Sequence, residues 1–136
     1  MSMTPADGVI SIAVPRGRLF EQLLPILRAT GVPAELEDQD ARRLTVERGD
    51  WRLLFARPHD ISLFVERGVA DYGFAGKDVL LEEPRQVVEA LDLGVGACRL
   101  VLAVPGSLSG NGMPPVRRVA TKYPRLATRL LADAGF

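Results

Sequence analysis

Lysine is nearly missing from this chain: of 17 basic residues only Lys77 and Lys122 are lysine, and the rest are arginine. A genome-wide codon preference accounts for most of that bias without any appeal to function. There is no basic excess either, because 17 acidic residues bring the formal charge to zero. A general nucleic-acid binder is expected to show a surplus of positive charge, so the balance argues against that class, and any anion site must come from local placement of arginines. Cys98 is the sole cysteine and His59 the sole histidine, which rules out an internal disulfide and argues against a zinc site. No apolar run approaches the ~20 residues of a membrane-spanning helix, and Met1 to Gly8 lacks the features of a secretory signal. The expected setting is the cytoplasm, with no metal held by protein ligands. Residues 1–7 are expected to be disordered.

Apolar periodicity supplies the elements. Val9 to Val14 is a short β-branched run and reads as a buried strand. Leu19, Leu23, Ile26 and Leu27 then fall on one helical face, with Phe20 and Leu24 beside them. Pro25 interrupts that helix and predicts a kink or restart, while Gly31 stands at the C-terminal cap. Glu35 to Arg43 is polar and reads as a loop or edge segment. Arg43–Glu47 and Trp51–Ala56, joined across Arg48-Gly49-Asp50, predict an antiparallel hairpin. Pro58 opens a second helix with Ile61, Phe64 and Val65 on its stripe, and Gly68 stops it. Ala70–Ala75 is a further strand, followed by a short helix to Leu81. Val87–Leu93, Cys98–Val104 and Val116–Thr121 complete the predicted strands, with a flexible loop at Ser107–Pro115 and a last helix over Pro124–Ala134. Strands alternating with helices imply an α/β fold with a mostly parallel sheet.

Three turns share one character. Arg16-Gly17-Arg18, Arg57-Pro58-His59-Asp60 and Gly76-Lys77-Asp78 each follow a strand, and in open α/β sheets ligands gather beyond the carboxyl ends of strands. A Gly-containing turn at a helix N-terminus offers free N–H groups and the positive dipole end. Arginine adds a fork that matches phosphate oxygens in pairs. Arg42 and Arg43 would join from the loop entering the hairpin, giving a cleft suited to a polyphosphate. The bland reading of Asp60 and Asp78 is helix capping, and that of His59 is an exposed turn residue.

Val14-Pro15-Arg16-Gly17-Arg18-Leu19 resembles the opening signature of ATP phosphoribosyltransferase, the first enzyme of histidine biosynthesis. Arg42-Arg43-Leu44, Arg57-Pro58-His59-Asp60, Gly68-Val69-Ala70-Asp71 through Gly76-Lys77-Asp78-Val79-Leu80, Leu91-Asp92-Leu93-Gly94, Cys98-Arg99-Leu100 and Ala120-Thr121-Lys122-Tyr123-Pro124 extend the resemblance over residues 8 to 135. It resembles the short form of that family, which works with a separate subunit similar to histidyl-tRNA synthetase.

The resemblance implies an α/β fold like the type II periplasmic binding proteins, with two lobes around a cleft. Residues 8–97 would form the first lobe and 98–136 the start of the second. It implies a glycosyltransferase that joins the phosphoribosyl group of phosphoribosyl pyrophosphate to adenine N1 of ATP and releases pyrophosphate, with Mg²⁺ bound through the phosphates. Arg18 and Arg42 would be catalytic; Arg16, Gly17, Arg43, Arg57, Lys77, Asp78, Thr121 and Tyr123 would bind substrate. Arg16 departs from the lysine of most members. The family's acidic, Gly-containing loop for the ribose phosphate has no match here, so the second lobe is expected to be incomplete and the 136 residues unable to finish the reaction alone. A homo-oligomer is the expected assembly. The alternatives are a non-catalytic anion- or small-molecule-binding module of the same fold, and a structural subunit of a larger assembly.

Overall fold

The computed structural model describes residues 8–37, 40, 42–108 and 117–135. The chain divides into two compact units, residues 1–96 and 97–136. The expectation for residues 1–7 lies outside the described residues.

The first unit is a four-stranded sheet covered on both faces. Strand β1 (Ile10–Pro15) leads into helix α1 (Arg18–Ala29), then the hairpin β2 (Thr45–Arg48) and β3 (Trp51–Ala56). Helix α2 (Pro58–Glu66), the short strand β4 (Tyr72–Gly73) and helix α3 (Lys77–Glu82) follow. The spatial order is β2-β3-β1-β4. β1 runs parallel to both β3 and β4, with Pro15 opposite Ala56 and Ala13 opposite Gly73. β2 is antiparallel to β3, from Thr45 opposite Leu54 to Arg48 opposite Trp51.

The alternation along β1 and β3 explains the two cores. Ile12, Val14, Leu53 and Phe55 point to one face, where they meet Phe20, Leu23 and Leu27 of α1 together with Val32 and Val46. Ala13 points to the other and packs with Ile61 and Ala70, while Leu54, Ala56, Phe64 and Val65 border them. A strand apolar at consecutive positions must be covered on both faces. Removing each large side chain from water contributes about 1.5–3 kcal/mol.

Both main helices end by the same device. After α1 the Gly31 N–H donates to the Arg28 carbonyl (3.1 Å) and the Val32 N–H to the Leu27 carbonyl (2.9 Å). After α2, Gly68 and Val69 repeat the pattern onto Val65 and Phe64. This is the Schellman closure, and the Leu27–Val32 contact in the core completes it. Asp71 fastens the edge strand, since its carboxylate accepts the Ser11 N–H at 2.7 Å.

Several expectations are corrected. α1 runs through Pro25 as one helix. Pro25 and Glu21 are both exposed, so the carbonyl that loses its donor faces water rather than the core. The fourth strand covers only Tyr72–Gly73 of the expected Ala70–Ala75. Val87–Leu93 and Cys98–Val104 form no strand, and neither do residues 117–121. Residue 116 lies outside the described residues. Val88 and Val101 are 90% and 74% exposed. Apolar runs declare a preference for burial, but a strand exists only where a neighbour completes its hydrogen bonds.

In the second unit a 3₁₀ turn forms at Gly106–Leu108 and helix α4 spans Pro124–Asp133. Most of the expected flexible loop, residues 109–115, lies outside the described residues. Pro124 opens α4, and Tyr123, Leu126 and Ala127 are buried. Among the described residues no helix is long and apolar enough to cross a membrane.

Candidate functional site

Parallel pairing places the ends of β1, β3 and β4 along one edge of the sheet, and the antiparallel β2 begins at that edge. Pro15 lies opposite Ala56, so Arg16 and Arg57 leave the sheet side by side. The Phe55 N–H donates to the Leu44 carbonyl at 2.8 Å. Arg43 and Arg42, which precede Leu44, therefore enter from the same edge. Phe74 to Lys77 continue from β4 there, with the Phe74 N–H on the Ala13 carbonyl at 3.0 Å. The four strands set this edge across three interstrand spacings, about 14 Å in all. That is room for a ligand carrying phosphates at more than one place.

The β1–α1 turn is built for an anion. Gly17, the N-cap of α1, takes φ 77° and ψ −149°, and no side chain caps the helix. The first intrahelical bond is Glu21 N–H to the Gly17 carbonyl, at 3.1 Å. The N–H groups of Arg18, Leu19 and Phe20 precede it and point out of the helix end, where the dipole favours negative charge. Arg18 is exposed at the first helical position.

Arg16 joins this turn to the arginine loop. Its guanidinium lies 4.1 Å from the centroid of the Phe55 ring, and its Nη2 donates to the Arg43 carbonyl. The Phe55 ring is itself held edge-on by Phe20, with centroids 5.3 Å apart. Arg16 is thus a latch between two site segments, and Arg18, Arg42, Arg43 and Arg57 stand exposed around it. Guanidinium groups donate and never accept. These side chains can therefore bind phosphate oxygens as donors.

The remaining candidates are placed differently. Lys77 opens α3 and its Nζ pairs with Glu89. Asp78 lies in the first turn of α3 and Asp60 in that of α2, and neither helix has a side-chain cap. The aspartates thus favour those termini through the dipole rather than as N-caps. His59 is not an exposed turn residue: it lies in the first turn of α2, half-buried, with Nδ1 3.0 Å from Glu83 Oε1. Thr121 and Tyr123 belong to the second unit, where the Thr121 hydroxyl accepts the Tyr123 N–H at 3.0 Å. The Lys122 ammonium lies 4.8 Å from the Tyr123 ring centroid.

Sequence reasoning missed Asp40 and Phe55 as parts of the site. Phe55 entered only as part of the strand Trp51–Ala56, and Asp40 sits in an acidic stretch where nothing in residue type separates it from Glu37. Only its place two residues before Arg42 could have drawn notice.

Comparison with known proteins agrees with this architecture. The family described as "HisG: ATP phosphoribosyltransferase" matches residues 57–136. The ATP phosphoribosyltransferase of Bacillus pumilus is 43% identical over 130 residues, covering 93% of this chain and 60% of that protein. That of Rubrobacter xylanophilus is 44% identical over 131 residues, covering 93% and 61%. Among solved structures, the "ATP phosphoribosyl transferase (HisG:HisZ) complex from Thermotoga maritima" superposes with a TM-score of 0.72 at 34% identity. That match covers 94% of this chain and 60% of the other. The chain spans about three fifths of the length of the relatives it matches. Sequence and fold together place it in the ATP phosphoribosyltransferase family.

Proposed function

We infer that this chain carries the phosphate-binding half of an ATP phosphoribosyltransferase, acting at the first step of histidine biosynthesis. The observation that carries this reading is the sheet edge where Arg16, Arg18, Arg42, Arg43 and Arg57 converge beside the open N-terminus of α1. In the reaction a bond forms between adenine N1 of ATP and the anomeric carbon of phosphoribosyl pyrophosphate. The carbon–oxygen bond to pyrophosphate breaks, and the leaving group departs with the electron pair. Negative charge grows on that oxygen while the sugar becomes oxocarbenium-like, so fixed guanidinium groups stabilise this state more than the ground state.

Arg18 and Arg42 are assigned the leaving pyrophosphate. Arg43, Arg57 and the Gly17 turn bind the remaining phosphates, and Arg16 fixes the turn. Lys77, Asp78, Thr121 and Tyr123 are assigned to substrate contacts. Adenine N1 carries its own lone pair, so the step asks for orientation rather than a strong base. Mg²⁺ would come with the substrate, held by its phosphates and neutralising part of their charge, while the arginines supply further charge and hydrogen-bond donors.

The finer architecture in this reading is an α/β fold of two lobes like those of type II periplasmic binding proteins, with residues 98–136 belonging to the second. A HisZ-like subunit and a homo-oligomer complete the assembly; the HisG:HisZ name of the Thermotoga structure supports the former. The setting is the cytoplasm, the compartment that holds ATP.

Calorimetric titration with phosphoribosyl pyrophosphate and with ATP, each with Mg²⁺, tests the reading beside an Arg18→Ala variant. Loss of one charge-assisted contact of about 1.5–3 kcal/mol should weaken pyrophosphate-bearing ligands about ten- to a hundredfold. Binding that the Arg18→Ala variant loses supports the reading with or without turnover, because these 136 residues are not expected to finish the reaction alone. Absence of binding would remove the arginine edge from the reaction.

A further inference from the structure

Asp40 is fully buried in a segment whose neighbours Glu37, Arg42 and Arg43 are exposed. Its Oδ2 accepts from Arg48 Nη2 of β2 at 2.6 Å and from the Glu37 N–H at 3.2 Å. Its backbone closes the turn: the Asp40 N–H donates to the Glu37 carbonyl (2.8 Å), and the Asp40 carbonyl accepts the Arg43 N–H (3.0 Å). Its Oδ1 is buried without a hydrogen-bond partner, and Arg43 Nη1 stands 4.0 Å from it. A buried carboxylate is costly unless paired, so a residue of this kind is expected to be held from both sides. Arg48 holds one side. On the other, the Arg43 side chain is 58% exposed, so it can turn outward to a ligand without leaving the loop.

The consequence is a continuous chain of contacts. Arg48 grips Asp40, Asp40 faces Arg43, and the Arg43 carbonyl accepts from Arg16, whose guanidinium rests on Phe55. We propose that Asp40 is a positioning residue: clamped by Arg48, its carboxylate fixes the loop that presents Arg42 and Arg43 beside the β1–α1 turn, and its open oxygen, 4.0 Å from Arg43 Nη1, keeps that guanidinium at the edge where phosphate binds. The ligand half of this statement rests on the anion-binding reading of the sheet edge; the loop half does not.

Trypsin provides a readout without ligand, because it cuts after the arginines in question. The Asp40→Asn variant keeps the shape and an acceptor oxygen but loses the charge. Folded by circular dichroism, it should be cut after Arg42 and Arg43 about tenfold faster than wild type, the weight of one charge-assisted hydrogen bond in local opening. Cleavage after Arg28 and Arg52 should not change. Arg48→Lys, which keeps the charge but loses the guanidinium fork, should give a smaller rise and carries the test should Asp40→Asn not fold. An unchanged cutting rate after Arg42 and Arg43 in folded variants would overturn the proposal.

Titration with Mg²⁺-pyrophosphate then tests the link to the ligand. Asp40→Asn should weaken binding about tenfold in the native background and by less in an Arg43→Ala background, where only the placing of Arg42 is left to lose. Equal losses in both backgrounds would overturn the role assigned to the open oxygen. Faster nicking in Asp40→Asn with no pyrophosphate binding even by wild type would sustain the loop role and sink the anion reading instead.

Discussion

At Gly17 the backbone holds φ 77° and ψ −149°, close to a region that only glycine enters freely. A Cβ there would meet no neighbouring atom within 4 Å, so backbone conformation rather than space demands the glycine. Gly17→Ala should lose about 1–3 kcal/mol of stability in urea unfolding, the usual strain of such a conformation. It should also weaken pyrophosphate binding, since the turn that aims the α1 N–H groups would shift.

Glu35 offers a different residue-scale test. It accepts from Arg28 Nε at 2.7 Å, and this hydrogen bond, with one from the backbone, holds its carboxyl below the ordinary value of 4.5. A group whose folded value is lowered stabilises the protein above its unfolded value, and that contribution fades as pH falls through the folded one. Both partners are largely exposed, so solvent screens the pair. Glu35→Gln should change Tm little at neutral pH and remove part of the wild type's fall in Tm on acidification below 4.5. A wholly unchanged acid profile would show that the pair has no role in stability.

The elements carry the next level of explanation. β4 is only two residues long, yet it holds the fourth place in the sheet because α2 lies directly on it. A Cβ at Gly73 would come within 2.6 Å of Ile61 Cγ2 and 3.0 Å of Val65 Cγ2. Ile61 is fully buried and cannot yield cheaply. Gly73→Ala should therefore cost about 1–3 kcal/mol, as overpacking of a filled core does, seen as a lower urea midpoint. The expectation of a longer strand came from the apolar character of Ala70–Ala75. Of these, Phe74 and Ala75 pack against the two cores without extending the ladder.

At the scale of the whole molecule, charge and apolar surface are unevenly placed. The chain is neutral overall, yet five arginines share one sheet edge, so positive charge is concentrated there. In the second unit Leu100, Val101, Leu102 and Val104 are exposed, and the stretch that contains them has no strand partner among the described residues. Amides of residues 99–104 should exchange with deuterium within seconds to minutes, while those of β1 and β3 should be protected by orders of magnitude. Protection of 99–104 comparable to β1 would contradict the unpaired backbone described for this stretch.

Much of this was legible from residue order alone. The β1–α1 turn, the hairpin at Gly49, the proline start of α2 and the glycine stops at Gly31 and Gly68 follow from local rules, because each depends on one residue's backbone freedom or on neighbours a few positions away. The arginine turns were likewise visible as strand–turn–helix junctions. Their convergence followed only once strand order was fixed: parallel β1, β3 and β4 bring Arg16, Arg57 and Lys77 to one edge, and antiparallel β2 brings Arg42 and Arg43 to the same edge. Tertiary structure alone decided that Asp40 is buried and grips Arg48, and that Arg16 rests on Phe55. It also decided that Cys98–Val104 pairs with no strand among the described residues. Burial, ion pairing and ladder formation depend on what distant segments bring alongside, and no local pattern in the chain contains that information.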